Sequence, residues 1–355
     1  MRTHYLIGIV VLALLFSSCR DKKEDELETE SFATLLIRTE ADLIAPSLSD
    51  FENAAEQLAN AVSIFDVSTT AQHLVQVQET FIEAYVAWQK VSQFRYGPAI
   101  EFDIMGKMNT FPTDYIQIEN AIQNGLTSGL PNAVKGLPAM DYLLFHQTND
   151  EILAQFSDQN RKVYLMARAN EVSTLATQYK TAWTNGYKAT FISADGPSVT
   201  GGLSLLANGL IEDYEQLKRD KVALPLGLLT LGIELPDKVE GYYSQQSMTL
   251  ILSQLDGVQN LFNNGDSYGI DDLLDARDAW HSPSNMLLSE RINQQVNEAR
   301  LALTLITSPL SEAIVTDPEI VENAYNELQQ VVVLLKTDMI SALGVSVTST
   351  DNDGD

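Results

Sequence analysis

The sequence predicts an all-α protein built as two helical bundles. Apolar residues recur at helical spacing through most of the chain, and strand-type alternation is scarce. A glycine- and proline-rich stretch, Ser193–Gly202, splits the part after residue 19 nearly in half. Length agrees, since 355 residues suit two domains better than one. At 45% hydrophobic and 20% charged, the chain has apolar surface for one or two cores.

Arg2 precedes an uninterrupted apolar run, Tyr5–Phe16. The run is shorter than the roughly 20 residues that span a bilayer and fits the core of a signal peptide, residues 1–18. Cys19 follows two serines and is the sole cysteine, so no internal disulfide can form. This arrangement resembles a bacterial lipobox, in which the cysteine is lipidated and becomes the first mature residue; Phe16 stands where that motif usually has Leu. Residues 19–30 are then an acidic, polar tether that cannot bury enough surface to fold alone. By resemblance to lipoprotein sorting signals, Arg20 rather than Asp after the cysteine favours the outer membrane.

The expected long helices are Ser31–Phe65 with a kink at Pro46, Thr70–Phe94 and Asp150–Thr190 in the first bundle (residues 31–192). In the second (200–345) they are Ser198–Lys221, Pro236–Asn264, Pro283–Ile314 and Asp317–Leu343. Shorter ones are expected near Pro112–Gln123 and Pro138–His146. The seam Leu74, Val77, Phe81, Ala84, Trp88, Val91 advances by 3 and 4 alternately, as shallow-angle helix packing requires. Ile292, Val296, Ala299, Leu303, Ile306 and Leu310 repeat the device. Asp317 can cap the last helix, with Pro318 in its first turn.

A formal net charge of −26 argues against nucleic acid as a partner, because phosphate binding needs clustered Lys and Arg. The acidic surface can attract cations or simply maintain solubility. HExxH, GxSxG and P-loop motifs are all missing, and His73, His146 and His281 are not spaced as helical ligands, so a conventional zinc hydrolase site is unsupported. His73 reads as an exposed polar residue and His146 as a helix-terminal one. The final DNDGD lacks the spacing of a calcium loop and reads as part of an acidic tail, residues 346–355.

One segment calls for a partner. In Lys135–Phe145, KGLPAMDYLLF, a helical wheel advancing about 100° per residue places Asp141 between Leu144 and Phe145 on an apolar arc. A buried, unpaired carboxylate is costly, so Asp141 needs a cation, a metal or backbone N–H groups. Continuing the 71–94 seam by four residues reaches Arg95. Arg95 and Asp141 can therefore meet as a buried ion pair, or Arg95 can snorkel at the bundle end.

Taken together, Ala84–Ala99, Met108–Ile122, Lys135–Phe145, Asp213–Leu228, Val239–Met248 and Leu343–Asp355 resemble, in order and spacing, the imelysin family. These are bacterial envelope proteins filed among the metallopeptidases and often linked to iron. The resemblance implies two all-α bundle domains with a cleft between them. The family signature is GxHxxE. Here Gly136 matches its glycine, Pro138 replaces its histidine and Asp141 its glutamate. Proline has no ligand atom, and the Asp carboxyl is one methylene further from the same target. The resemblance thus implies iron or another divalent metal as the possible cofactor, with Asp141 as the one candidate ligand, and makes proteolysis doubtful. Three readings follow. The chain is a non-catalytic binding or accessory lipoprotein linked to iron or haem acquisition, a metallopeptidase of the imelysin type, or a scaffold whose cleft grips another envelope protein.

Overall fold

The computed structural model describes residues 32–194, 198 and 200–346. The signal peptide, Cys19, the tether and the acidic tail beyond residue 346 lie outside the described residues.

Helix α1 covers residues 32–67, with a π-helical turn at Thr39–Ile44. The turn lies just before Pro46, which lacks an N–H and whose ring crowds the carbonyl four residues back, so the ladder slips there. After it come α2 (Ala71–Gln89), α3 (Pro98–Glu101), α4 (Ile104–Met108), α5 (Tyr115–Gln123), α6 (Gly136–Phe145) and α7 (Asn149–Gln155). Helix α8 is Gln159–Ala182, prolonged by a π segment to Ser193. Helix α9 begins as Gly202–Gln216 and runs through the π segment Leu217–Ala223 to Leu226. Next are α10 (Ser247–Asn263), α11 (Ile270–Ala276) and a two-residue antiparallel hairpin, β1 (Trp280–His281) with β2 (Met286–Leu287). The chain closes with α12 (Leu288–Thr304), α13 (Leu310–Thr316) and α14, which starts as Pro318–Val333 and continues to Leu343.

In the first half, α1 packs on α2 and α8, and α6 lies on α8. In the second, α12 packs on α14 and α10 lies between α9 and α12. Helices α2 and α10 join the halves, and one continuous buried cluster runs from Phe32 to Val345. Gly209 permits the close approach at this seam, because a Cβ there would stand 2.5 Å from the Gln93 carbonyl oxygen.

The fold is all-α, as expected, and Asp317 and Pro318 begin α14 as read. Four helices are shorter than the periodicity suggested. Helix α2 stops at Gln89 instead of Phe94. Side chains there take over the backbone carbonyls, with Ser92 Oγ donating to Gln89 O (3.1 Å) and Gln93 Nε2 to Lys90 O (2.8 Å). Val91 and Phe94 remain buried without helical geometry, so the apolar spacing continues past the end of the helix. The expected 150–190 helix breaks at residues 156–158, where Asp158 recaps the chain by accepting from Asn160 N–H (2.9 Å). The expected 283–314 helix is interrupted by the hairpin and again before Pro309. The expected 236–264 helix begins only at Ser247, because Gly241 (φ +63°) and Gln245 (φ +58°) turn residues 239–246 into a loop.

Candidate functional site

Helix α6 is fixed at its first residue. Gly136 has φ +63°, and a Cβ there would stand 2.2 Å from the Met108 carbonyl oxygen, so only glycine fits. Pro138 sits in the first turn, where its missing N–H costs nothing. Every residue from Gly136 to Leu144 is buried, Asp141 included at 2% exposure.

Asp141 meets the backbone of the 239–246 loop, where the sequence predicts helix. Its Oδ2 accepts from Tyr243 N–H at 3.0 Å and its Oδ1 from Ser244 N–H at 3.1 Å. Of the three kinds of partner expected, backbone amides are the ones present. The Arg95–Asp141 pair is corrected. Once α2 ends at Gln89, Arg95 leaves the seam and bonds Asp213 at 3.1 Å, along with Glu212, Gln216 and the Ser92 carbonyl. Asp213 is fully buried, so the buried ion pair exists with a different acid.

Burial pushes the Asp141 carboxyl up to about 6. Hydrogen bonds from Ser244 and Tyr243 pull against that rise, and the Glu240 charge adds to it. Glu240 is 1% exposed and sits in the same loop. It accepts from Gln89 Nε2 (2.9 Å) and Asn109 Nδ2 (2.7 Å) and pairs with buried Lys221 at 2.5 Å. Lys221 also donates to Gln89 Oε1 (2.7 Å), and the Tyr85 hydroxyl donates to Asn109 (2.9 Å). Burial, with Glu240 and Asp141 close by, raises the Tyr85 hydroxyl well above its ordinary value. The 239–246 loop is therefore pinned twice, by Glu240 in a buried polar network and by Tyr243–Ser244 on Asp141.

Sequence reasoning missed Glu240, Lys221, Gln89 and Asn109. Each lies in one of the segments carrying the family resemblance, but pairing them requires knowing that α9, α2 and the loop converge.

Beside Asp141 opens a cleft of about 250 Å³, walled by Phe111, Pro112, Tyr115, Pro138, Lys238 and Tyr243. Across Phe111, Pro112 and Lys238 a second trough of about 410 Å³ continues past Asn109, Gln216 and Asp220. Burial raises the Asp220 carboxyl, against the pull of Arg219, Arg95 and Lys221. The cleft thus lies between residues 105–141 of the first half and 216–243 of the second. It is largely aromatic, with Tyr142 meeting Tyr243 edge-on at 5.1 Å and stacking on His146 at 4.4 Å.

The histidines do not converge. His73 bonds the Ser68 carbonyl (2.6 Å), His146 bonds Tyr142 O (2.7 Å) and Gln155, and His281 bonds Ser284 Oγ (2.6 Å). Burial lowers the His146 pKa, against the Tyr142 carbonyl that raises it. The residues at the motif do not fit a metal ion. Pro138 offers no donor atom, Asp141 is the motif's sole acid with both oxygens engaged by the 239–246 amides, and the neighbouring Asp237 carboxylate is paired with Lys238 at 2.8 Å. Among the described residues no group of three or more His, Cys, Asp or Glu is placed to hold one.

Fold and site together define a class: an all-helical protein with a cleft between its halves, whose walls include a Gly-x-x-x-x-acid helix with a clamped acid. The imelysin family (peptidase M75) matches residues 44–337, and the chain belongs to that family. A curated relative, iron-regulated protein A of Synechococcus elongatus, is 24% identical over 322 residues, covering 87% of this chain and 84% of its own. An imelysin-like protein from Psychrobacter arcticum has the same fold, with TM-score 0.73 and 17% identity over 90% of this chain and 98% of that one. So does a protein from Parabacteroides distasonis described as an iron-regulated protein A precursor, with TM-score 0.77 and 16% identity over 89% and 95% of the two chains.

Proposed function

We propose that this chain is a non-catalytic binding protein of the cell envelope, lipid-anchored through Cys19 and serving iron or haem acquisition through its inter-half cleft. The observation that carries the non-catalytic part is the commitment of Asp141. Both Asp141 oxygens hold the 239–246 loop and the residue is 2% exposed, so the carboxyl is engaged in positioning that loop. Pro138 supplies no second functional group. What remains at the cleft is an aromatic wall with a Lys238–Asp237 ion pair, Asp220 and polar amides, which suits binding. The iron link is supported by the name of the Synechococcus relative, and the anchor by the run from Tyr5 to Cys19.

Calorimetric titration with ferric iron and with haem tests the ligand. Heat of binding for either supports the reading, and none at protein concentrations suited to micromolar affinity counts against it. Incubation with an unfolded protein substrate, with and without chelator, tests the catalytic part. Chelator-sensitive cleavage abolished by Asp141→Ala would restore the peptidase reading. Fatty-acid labelling that Cys19→Ala eliminates supports the anchor, and persistent label rejects it.

A further inference from the structure

The pocket beside Asp141 has a chemistry of its own. Four aromatic rings line it, those of Phe111, Tyr115, Tyr242 and Tyr243. Tyr115 and Tyr242 keep 50% and 38% of their surface exposed, so the core does not claim them. The Tyr242 and Tyr243 rings stand nearly perpendicular, with centroids 5.1 Å apart and an interplanar angle of 78°. Rings set at a corner suit a rounded guest, whereas a flat one calls for parallel faces.

Charge points the same way. Asp141 lines this pocket too, and the two amides that it accepts from are neutral. Among the described residues no Lys, Arg or His forms an ion pair with it. Lys221 is committed to Glu240 at 2.5 Å and Lys238 to Asp237 at 2.8 Å. The lining therefore carries a carboxylate with no counter-charge. Burial and the nearby Asp141, Tyr115, Tyr242 and Asp237 all push the Tyr243 hydroxyl up, to about 12, as a negative local field does.

An aromatic face attracts a cation through the ring quadrupole, most strongly where water is partly excluded. A carboxylate in a half-buried site adds Coulomb attraction that is less screened than on an open surface. A metal ion is a poor match, because it demands several close oxygen or nitrogen donors. An organic ammonium demands none, and its apolar substituents gain from contact with the rings. We propose that the pocket of Phe111, Tyr115, Tyr242 and Tyr243, with Asp141, binds a small organic cation, an ammonium carrying short apolar substituents. The volume of about 250 Å³ sets the size, below the roughly 300–1,000 Å³ of pockets for drug-sized ligands. The chain's charge of −26 draws cations of every kind, so the rings are what select. This site rests on the proposed cleft as a binding surface and not on the iron link.

Choline and 3,3-dimethylbutan-1-ol test it, since the two share a shape and only choline is charged. Each is titrated calorimetrically into the full-length protein and into its Tyr242→Leu and Tyr242→Phe variants. Tyr242 is exposed, so the leucine variant should fold, and the phenylalanine variant keeps the ring. A cation cage predicts that choline binds at least about tenfold more tightly than the alcohol, that Tyr242→Leu weakens choline at least about threefold, and that Tyr242→Phe does not. Equal affinity for the two ligands overturns it, because the pocket is then merely apolar. Choline binding that Tyr242→Leu leaves unchanged overturns it too, because the cation then sits on the acidic surface at large. So does the absence of heat at choline concentrations suited to millimolar affinity. Heat from ferric iron or haem without these choline effects would sink the cage and leave the proposed function standing. Choline selectivity without iron or haem heat would do the reverse.

Discussion

A carboxylate that is 2% exposed depends on its immediate neighbours, and those of Asp141 are two amide hydrogens and a second buried acid. Asp141→Ala removes the acceptor for both amides, and each buried donor left unsatisfied costs about 1–3 kcal/mol. Urea unfolding at pH 7 should show that loss. A double-mutant cycle separates this clamp from the ion pair. Arg95 and Asp213 should couple strongly, with Arg95→Ala alone costing about 3–5 kcal/mol because it strands a buried charge. Arg95 and Asp141 should add within about 0.5 kcal/mol, as independent sites do. Strong coupling between the latter two would revive the pairing that the seam suggested. The pH dependence follows from direction. Burial holds the Asp141 carboxyl at about 6 in the folded protein, above the ordinary 3.8, so its proton is bound more tightly by the native state. Its contribution to stability is complete below the lower value and lost as pH rises through the higher one, an effect on the order of 3 kcal/mol. Wild type should therefore gain on Asp141→Asn as pH falls from 7 to 4. A gap that stays constant or moves the other way contradicts the burial of this charge.

At the scale of elements, the site is a helix and a loop held against each other, and the two were unequally legible. Helix α6 could be read from Pro138 in its first turn and from its apolar run, and the need of Asp141 for a partner followed from the wheel. The 239–246 loop could not, because its turn rests on Gly241 and Gln245 at positive φ while Leu250 and later residues restore helical spacing. Arg95 was misplaced for a related reason, since Val91 and Phe94 stay buried after the helix has ended. Apolar spacing reports which residues are inside, and backbone geometry between them is a separate matter. Gly136 links α6 to the end of α4, and its role is testable. Gly136→Ala adds a left-handed penalty of about 1–2 kcal/mol to a collision with the Met108 carbonyl. It should destabilise by at least about 2 kcal/mol in thermal unfolding, and a near-neutral effect would mean that α6 can enter by another path.

For the whole molecule, helices were readable as a class and the convergence of distant segments was not. The continuous cluster from Phe32 to Val345 and the buried network of Gln89, Lys221 and Glu240 tie α2, α9 and the loop across the seam. The Gln89 contacts pair residues more than 100 positions apart, for which one sequence has no local signal. The central claim is that the family's motif position serves here as a clamp and leaves the cleft to binding. Elemental analysis of wild type and Asp141→Asn, each purified from its own envelope and shown to be folded, tests this most directly. The account predicts the same metal content per chain in both, whatever that content is. A metal present at one equivalent in wild type and lost from Asp141→Asn would contradict it.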